Sequence, residues 1–461
     1  MKAWNRLLAG VGIARAAITL DTSSTDSIKQ AASTAAWGMV KYWYTGNNTG
    51  DVPGNLPAPY YWWEAGGFFG TLIDYWYYTG DTTYNNITTQ AILHQIGADS
   101  DFMPSNQTKD EGNDDQSFWA FTALAAAEYN YPAPPSGYAS WLALVQAVFN
   151  EQAARWDTTT CGGGLRWQIF TFNTGYTYKN SISNGCFFNI AARLGRYTGN
   201  TTYLDWANKA WDWVSAIGLM DSSYHFFDGT EDTSNCTSLD HVQWTYNQGV
   251  FLYGAAIMWN VSATNDAANG TTTPSNTTTL WRTRVEGILN ASSVFFTNNI
   301  MYEVACETNG KCDNDQKSFK TYLARWMAAT TKVAPYTTDT IMNLLTTSAE
   351  ACAKTCTAGA DGNQCGLEWT KEANDGDLGP GQQMAAVSIF SGLLAGDVPG
   401  ALTNKTGGTS VGDAAAGTTS NDSPTKFSTI TTGEKAGAAI LTLTVILGMF
   451  SGVWWIATDS E

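Results

Sequence analysis

The stretch Glu111-Gly112-Asn113-Asp114-Asp115-Gln116-Ser117-Phe118-Trp119 sets two carboxyls side by side where an apolar run, Phe118 to Tyr129, begins. One reading is ordinary. Asn113 or Asp114 can cap a helix by accepting a free backbone N–H, and acids in a first turn suit the helix dipole. The other reading is chemical. Two carboxyls in an aromatic, neutral-polar cavity can break a glycosidic bond. One attacks or stabilises the anomeric carbon, and the other protonates the leaving oxygen. Retaining enzymes hold such carboxyls roughly 5–5.5 Å apart, inverting ones farther. Neighbours at a helix start reach the shorter separation, so this pair, if catalytic, implies retention through a glycosyl-enzyme. Water or another sugar can then take the glycosyl group.

Rival chemistries find little support. The three histidines, His94, His225 and His241, show no zinc spacing, and the eight cysteines contain no C-x-x-C. There is no Gly-x-Ser-x-Gly elbow and no phosphate loop. Asp313-Asn314-Asp315 and Asn374-Asp375-Gly376-Asp377 lack the Glu that closes a calcium loop. No metal and no cofactor are expected. A net charge of −17 argues against a nucleic-acid partner, which needs a basic surface. Aromatics reach 13% with 20 Trp, more rings than helix packing needs, and flat rings stack on sugar faces.

Something must bring the carboxyls into a cavity. Residues 17–400 have helical periodicity and little strand pattern. Six apolar, small-residue-rich helices open on polar or Gly-rich knots: at Trp62-Trp63-Glu64-Ala65-Gly66, Asn113-Asp114-Asp115-Gln116, Ser183-Asn184-Gly185, Tyr246-Asn247-Gln248-Gly249, Asp313-Asn314-Asp315-Gln316 and Gly379-Pro380-Gly381-Gln382. Between them run amphipathic helices at about 26–44, 83–97, 138–155, 202–217, 280–297 and 338–356. A joint recurs as Tyr77-Tyr78-Thr79-Gly80-Asp81 and Arg196-Tyr197-Thr198-Gly199-Asn200, and starts again at Trp43-Tyr44-Thr45-Gly46-Asn47. Gly takes the left-handed position after the helix there, and in the first two Asp or Asn leads into the next. Six apolar helices inside six amphipathic ones predict an all-α (α/α)6 toroid, one domain. The six polar starts then meet at one mouth, and none of the other five carries an adjacent Asp pair.

The ends read as addresses. Lys2 and Arg6, the apolar Leu7 to Ile13 and the small-x-small Ala14-Arg15-Ala16 fit a signal peptide over 1–16. A Gly/Ser/Thr-rich linker over 401–435 and an apolar tail over 436–461 fit a glycolipid (GPI) attachment signal, with Asn421 or the Gly412–Gly417 cluster as attachment site. Eleven N-x-Ser/Thr sequons agree with secretion. So do the eight cysteines, with Cys306/Cys312 and the group Cys352, Cys356, Cys365 placed for local disulfides.

The knots at 62–66, 113–116, 183–185 and 246–249, with Cys-Gly-Gly-Gly-Leu-Arg-Trp-Gln at 161–168, resemble glycoside hydrolase family 76 over about residues 20–400. With the secretion signal and tail, the chain looks like the fungal cell-wall branch. The resemblance implies an endo-α-1,6-mannosidase thought to act as a transglycosidase. It would cut the mannose-containing GPI core glycan of anchored proteins and move them to wall β-glucan, with α-1,6-mannan as the hydrolytic alternative. It implies Asp114 as nucleophile and Asp115 as acid/base. Trp63 and Trp167 are candidate sugar platforms, or packing. Glu64, Asn184, Asn247 and Gln248 are candidate hydroxyl ligands, or caps. Asp228 and Asp313 are candidates on loops over the rim, or turn residues. Two other readings stay open: a catalytically silent glycan-binding wall protein, and another (α/α)6 enzyme such as an inverting glucanase or a lyase.

Overall fold

The computed structural model describes residues 17–44, 52–418 and 431–458. The signal-peptide reading, the third copy of the glycine joint and Asn421 fall outside those residues.

The six inner helices are α2 (Trp62–Thr79), α4 (Asn113–Glu128), α6 (Ser181–Thr198), α8 (Thr245–Ala268), α10 (Phe319–Val333) and α12 (Pro380–Gly392). Each packs on the next, and α12 packs back on α2, so the ring closes. The outer helices are α1 (Thr25–Trp43), α3 (Asn85–His94), α5 (Trp141–Ala154), α7 (Thr201–Ala216), α9 (Asn276–Ala291) and α11 (Thr338–Thr355). They cover the inner ring, and the domain is the expected (α/α)6 toroid.

The patterns that predicted the rings are those that build them. Every residue of α4 from Gln116 to Glu128 is buried, as a helix walled on all sides requires. On α7 only one stripe, including Ala207, Ala210, Trp211 and Val214, is buried. Gly80 and Gly199 end α2 and α6 at φ 78° and 74°, and Asn200 then caps Thr202. Small residues let inner helices touch. A Cβ on Gly66 would lie 3.0 Å from the backbone N of Trp119, and one on Gly249 would lie 3.0 Å from Leu323 Cα.

Two differences from expectation stand out. First, the compact unit continues past residue 400 into the stretch read as a linker. The Leu402 N–H donates to the Glu128 carbonyl (2.8 Å), the Asn404 N–H to the Tyr197 carbonyl (3.0 Å), and Asn150 Nδ2 to the Ala414 and Ala416 carbonyls (3.0 and 2.8 Å). Its small residues serve close packing: a Cβ on Gly412 would sit 2.5 Å from Gln146 Oε1. Second, the Cys161–Cys236 bridge spans 75 residues, beyond any local spacing argument. Cys306–Cys312 and Cys356–Cys365 form locally, while Cys186 and Cys352 are buried thiols. Separately, α13 (Thr432–Thr458) contains an 18-residue stretch, Lys435–Gly452, long and apolar enough to cross a membrane.

Candidate active site

The inner helices open onto a cleft of about 550 Å³. Its floor is the start of α4. The cap is Gly112, not Asn113 or Asp114. Asn113 instead faces the wall: its N–H donates to the Trp167 carbonyl (2.9 Å) and its Nδ2 to the Arg166 carbonyl (2.9 Å). Asp115, three residues after the cap, reaches back to accept the Gly112 N–H at 2.7 Å. Asp114 accepts the Ser183 hydroxyl at 3.1 Å. A Cβ on Gly112 would lie 2.5 Å from Asp114 Oδ1 and 3.4 Å from Asp115 Oδ2, so glycine keeps the space beside both carboxyls open.

Buried groups fix this turn from below. Gln152 Nε2 donates to the Asn113 carbonyl (2.7 Å) and Ser117 Oγ (2.8 Å). Arg155 donates to Gln116 Oε1 (2.7 Å) and pairs with Glu151 (3.0 Å). The loop carrying Trp167 is held from α6. Asn184 accepts the Leu165 N–H (2.8 Å) and donates to the Leu165 carbonyl (3.0 Å). Fully buried Lys179 donates to the carbonyls of Thr160 (2.9 Å) and Gly163 (2.6 Å), and Arg166 pairs with Asp157 and Asp232. Behind them lies a three-stranded antiparallel sheet: β1 (Tyr178–Asn180), β2 (Gly229–Glu231) and β3 (Leu239–Asp240).

Six of the sequence candidates line the cleft: Asp114, Asp115, Trp63, Trp167, Asp228 and Asp313. Trp63 Nε1 donates to Asp315 Oδ1 (2.8 Å), and its ring lies 4.6 Å from that of Phe118. Asp228 accepts the Tyr178 hydroxyl at 2.6 Å. Asp313 accepts the Gln316 N–H (3.0 Å), holding a short 3-10 turn ahead of α10. The other four candidates do not line the cleft. Glu64 turns back to accept the Tyr61 N–H at 2.7 Å, a cap like that of Asp115. Asn184 is committed to Leu165. Gln248 donates to the Tyr224 and Ile288 carbonyls, and Asn247 is fully buried. The physical reason is rotation. Each helical residue turns about 100° from the last. The second residue of α2, α4 and α8 (Trp63, Asp114 and Tyr246) lines the mouth, so Asn247 and Gln248 point into the wall. That rule would have found Tyr246. Asp315 lay unselected inside a quoted knot. Tyr178, Asp240 and Trp244 carried no local signal.

The lining is acidic and aromatic, with Asp110, Glu111, Asp240 and Asp315 beside the four named aspartates and, among the described residues, no Lys or Arg. Burial pushes Asp114 well above the ordinary carboxyl range, and the charge of Asp115 adds to it. Burial pushes Asp115 up to about 6, opposed by the Gly112 N–H. Asp315 is pushed up to about 7, again by burial. So close a pair titrates as a unit. Below its first step both carboxyls are protonated and no nucleophile exists. Above its second both are ionised and no acid remains. Turnover is therefore expected to follow a bell whose acidic limb lies near pH 6. A kcat/KM profile already level at pH 4 would contradict these environments.

A family model, Glycosyl hydrolase family 76, matches residues 27–405. The chain is 45% identical over 442 residues to the mannan endo-1,6-alpha-mannosidase DCW1 of Saccharomyces cerevisiae, covering 95% of each chain. It is equally similar, 45% over 445 residues, to the mannan endo-1,6-alpha-mannosidase DFG5 of that yeast, covering 95% of this chain and 94% of the other. The crystal structure of Dfg5 from Chaetomium thermophilum, in complex with glucosamine, matches at a TM-score of 0.82 and 40% identity, covering 88% of this chain and 99% of that one. An alpha-1,6-mannanase from Salegentibacter shares the fold at a TM-score of 0.59 and 16% identity, covering 79% and 98%. With a family match spanning nearly all of the helical toroid, and relatives aligned along almost their whole length, the chain belongs to glycosyl hydrolase family 76.

Proposed function

We propose that this protein is a retaining, α-mannoside-active transglycosidase of the fungal cell surface. It cleaves the mannose-containing core glycan of GPI-anchored proteins and transfers them to wall β-glucan. The observation that carries the reading is the Asp114–Asp115 pair at the floor of an aromatic, acidic cleft. The Asp114 carboxylate attacks the anomeric carbon as the glycosidic C–O bond breaks, and the Asp115 proton passes to the leaving oxygen. An acceptor hydroxyl then gives its proton to Asp115 and attacks the same carbon, releasing Asp114. Two inversions give retention.

The lining supports the donor. Many carboxyls without a Lys or Arg favour a substrate bearing a cation and repel uronates. Glucosamine, the sugar seen with the Chaetomium relative, carries an amine that is such a cation. The names of the yeast relatives support a second reading, hydrolysis of α-1,6-mannan. The length and composition of α13 support a GPI signal at the C-terminal end.

The test incubates the protein with a synthetic GPI-core glycan and short β-glucan oligosaccharides, followed by mass spectrometry. A donor–acceptor adduct is expected. Free mannoside fragments without adduct would make the protein a hydrolase, and binding without turnover a silent glycan-binding wall protein.

A further inference from the structure

Glu111 is the residue before the cap of α4, and its side chain is the odd one in the cleft. It is 2% exposed, yet it belongs to the cleft lining. Neither carboxyl oxygen has a protein hydrogen-bond partner. Among the described residues it is the one carboxyl with both oxygens in that condition. No other cleft-lining residue has a buried side-chain polar atom without a protein partner. Its backbone, by contrast, is engaged: the Glu111 carbonyl accepts the Ile169 N–H at 3.3 Å.

The nearby cation does not complete it. Arg155 is already committed to Glu151, Gln116 and Asn113. Burial, with the charge of Asp115 adding to it, pushes Glu111 well up. The protonated form that this favours has one O–H to give and a carbonyl oxygen to receive. A sugar hydroxyl offers the same two capacities. Burying a carboxyl without protein partners costs stability, and such groups persist where a site uses them. Its carboxyl oxygens are themselves closed to solvent, but Glu111 belongs to the cleft lining, so the cleft is the side from which a partner reaches them.

We propose that Glu111 is a substrate-binding residue, its carboxyl hydrogen-bonding hydroxyls of the sugar whose anomeric carbon faces Asp114 and Asp115. This rests on the glycosidase reading of the pair. A site that hydrogen-bonds a substrate hydroxyl through a buried group discriminates strongly against sugars lacking it.

The test uses the full chain and two variants, Glu111→Gln and Glu111→Ala. Binding of α-1,6-mannotetraose is measured by calorimetry in the Asp114→Asn background. Turnover of a mannoside donor is measured with Asp114 intact. Glu111→Ala is expected to weaken binding and lower kcat/KM by about ten-fold or more, and Glu111→Gln by less. Thermal stability should hold or rise in Glu111→Gln, because a buried acid without protein partners is removed. Unchanged affinity and kcat/KM in folded Glu111→Ala would overturn the proposal. So would a fall in Tm in both variants with activity per folded molecule retained, which marks a structural role. A wild-type protein that neither binds nor turns over mannosides overturns the glycosidase reading, and this proposal with it. Variants that match an active wild type overturn the Glu111 role alone.

Discussion

Asp114→Asn and Asp115→Asn are each expected to abolish turnover, by at least about 10³-fold, because each removes one of the two roles that the bond cleavage needs. The double variant should be scarcely worse than either single one, since residues acting as a unit lose their effect together. Folding should survive. A carboxyl whose pKa is higher folded than unfolded favours the fold only while protonated. That contribution is complete below about pH 4, and for Asp115 it is lost as pH rises through about 6. Asn stays neutral, so Tm at pH 7 should hold or rise in both variants. Activity lost together with a large fall in Tm would count against a catalytic role. A 2-fluoro-mannosyl donor, which slows release of the covalent intermediate, should label Asp114. The environments of the two carboxyls make this a sharp test, because the Gly112 N–H favours charge on Asp115, while burial pushes Asp114 well above the ordinary range. A label on Asp115 would exchange the two roles.

Glu128→Ala is expected to destabilise the fold by about 3–5 kcal/mol. Glu128 ends α4 and Arg193 lies on α6, with their side chains 0% and 4% exposed. Arg193 Nη2 donates to Oε2 at 2.7 Å, and Nε is shared between both oxygens at 3.2 Å. The guanidinium also lies 5.3 Å from the Tyr253 ring. Removing Glu128 strands a buried cation, whereas exchanging both partners for apolar residues of similar volume does not. Glu128→Leu with Arg193→Met should therefore recover most of the loss. Denaturant unfolding of wild type and the two variants measures it, and a loss under about 1 kcal/mol in Glu128→Ala would contradict the account. The pair joins the ends of α4 and α6 remote from their starts at the cleft, so kcat of the folded fraction should stay near wild type.

How much of this was legible before any coordinates depends on whether the information is local. The alternation of all-round apolar helices with one-faced helices is written in 3.6-residue periods. Gly80, Gly199 and Asn200 mark their joints with backbone and cap chemistry that needs no tertiary partner. From these follow the two rings, the shared mouth and the presence of Asp114 and Asp115 in it. The direction of each side chain at a helix start is another matter. It changes by about 100° per residue and is set by the loop before it. Glu64 and Asp115 therefore close the same kind of cap from the same helical position, yet only Asp115 lines the cleft, beside a glycine. Asn247 went into the wall while Tyr246 faced the mouth.

The sequence by itself determined the helices, their sorting into inner and outer, and where the acidic pair would lie. Only the tertiary structure decided the rest. It joined Cys161 to Cys236, brought Asp228 and Asp240 into the cleft lining at the edge of a small sheet, and laid residues 401–418 along the outer wall. It also buried Glu111 without a protein partner at the cleft. The division has one physical cause. Helix formation and capping are fixed by neighbours in the chain. A cleft is assembled from residues far apart in sequence, whose meeting is chosen by the packing of the whole ring.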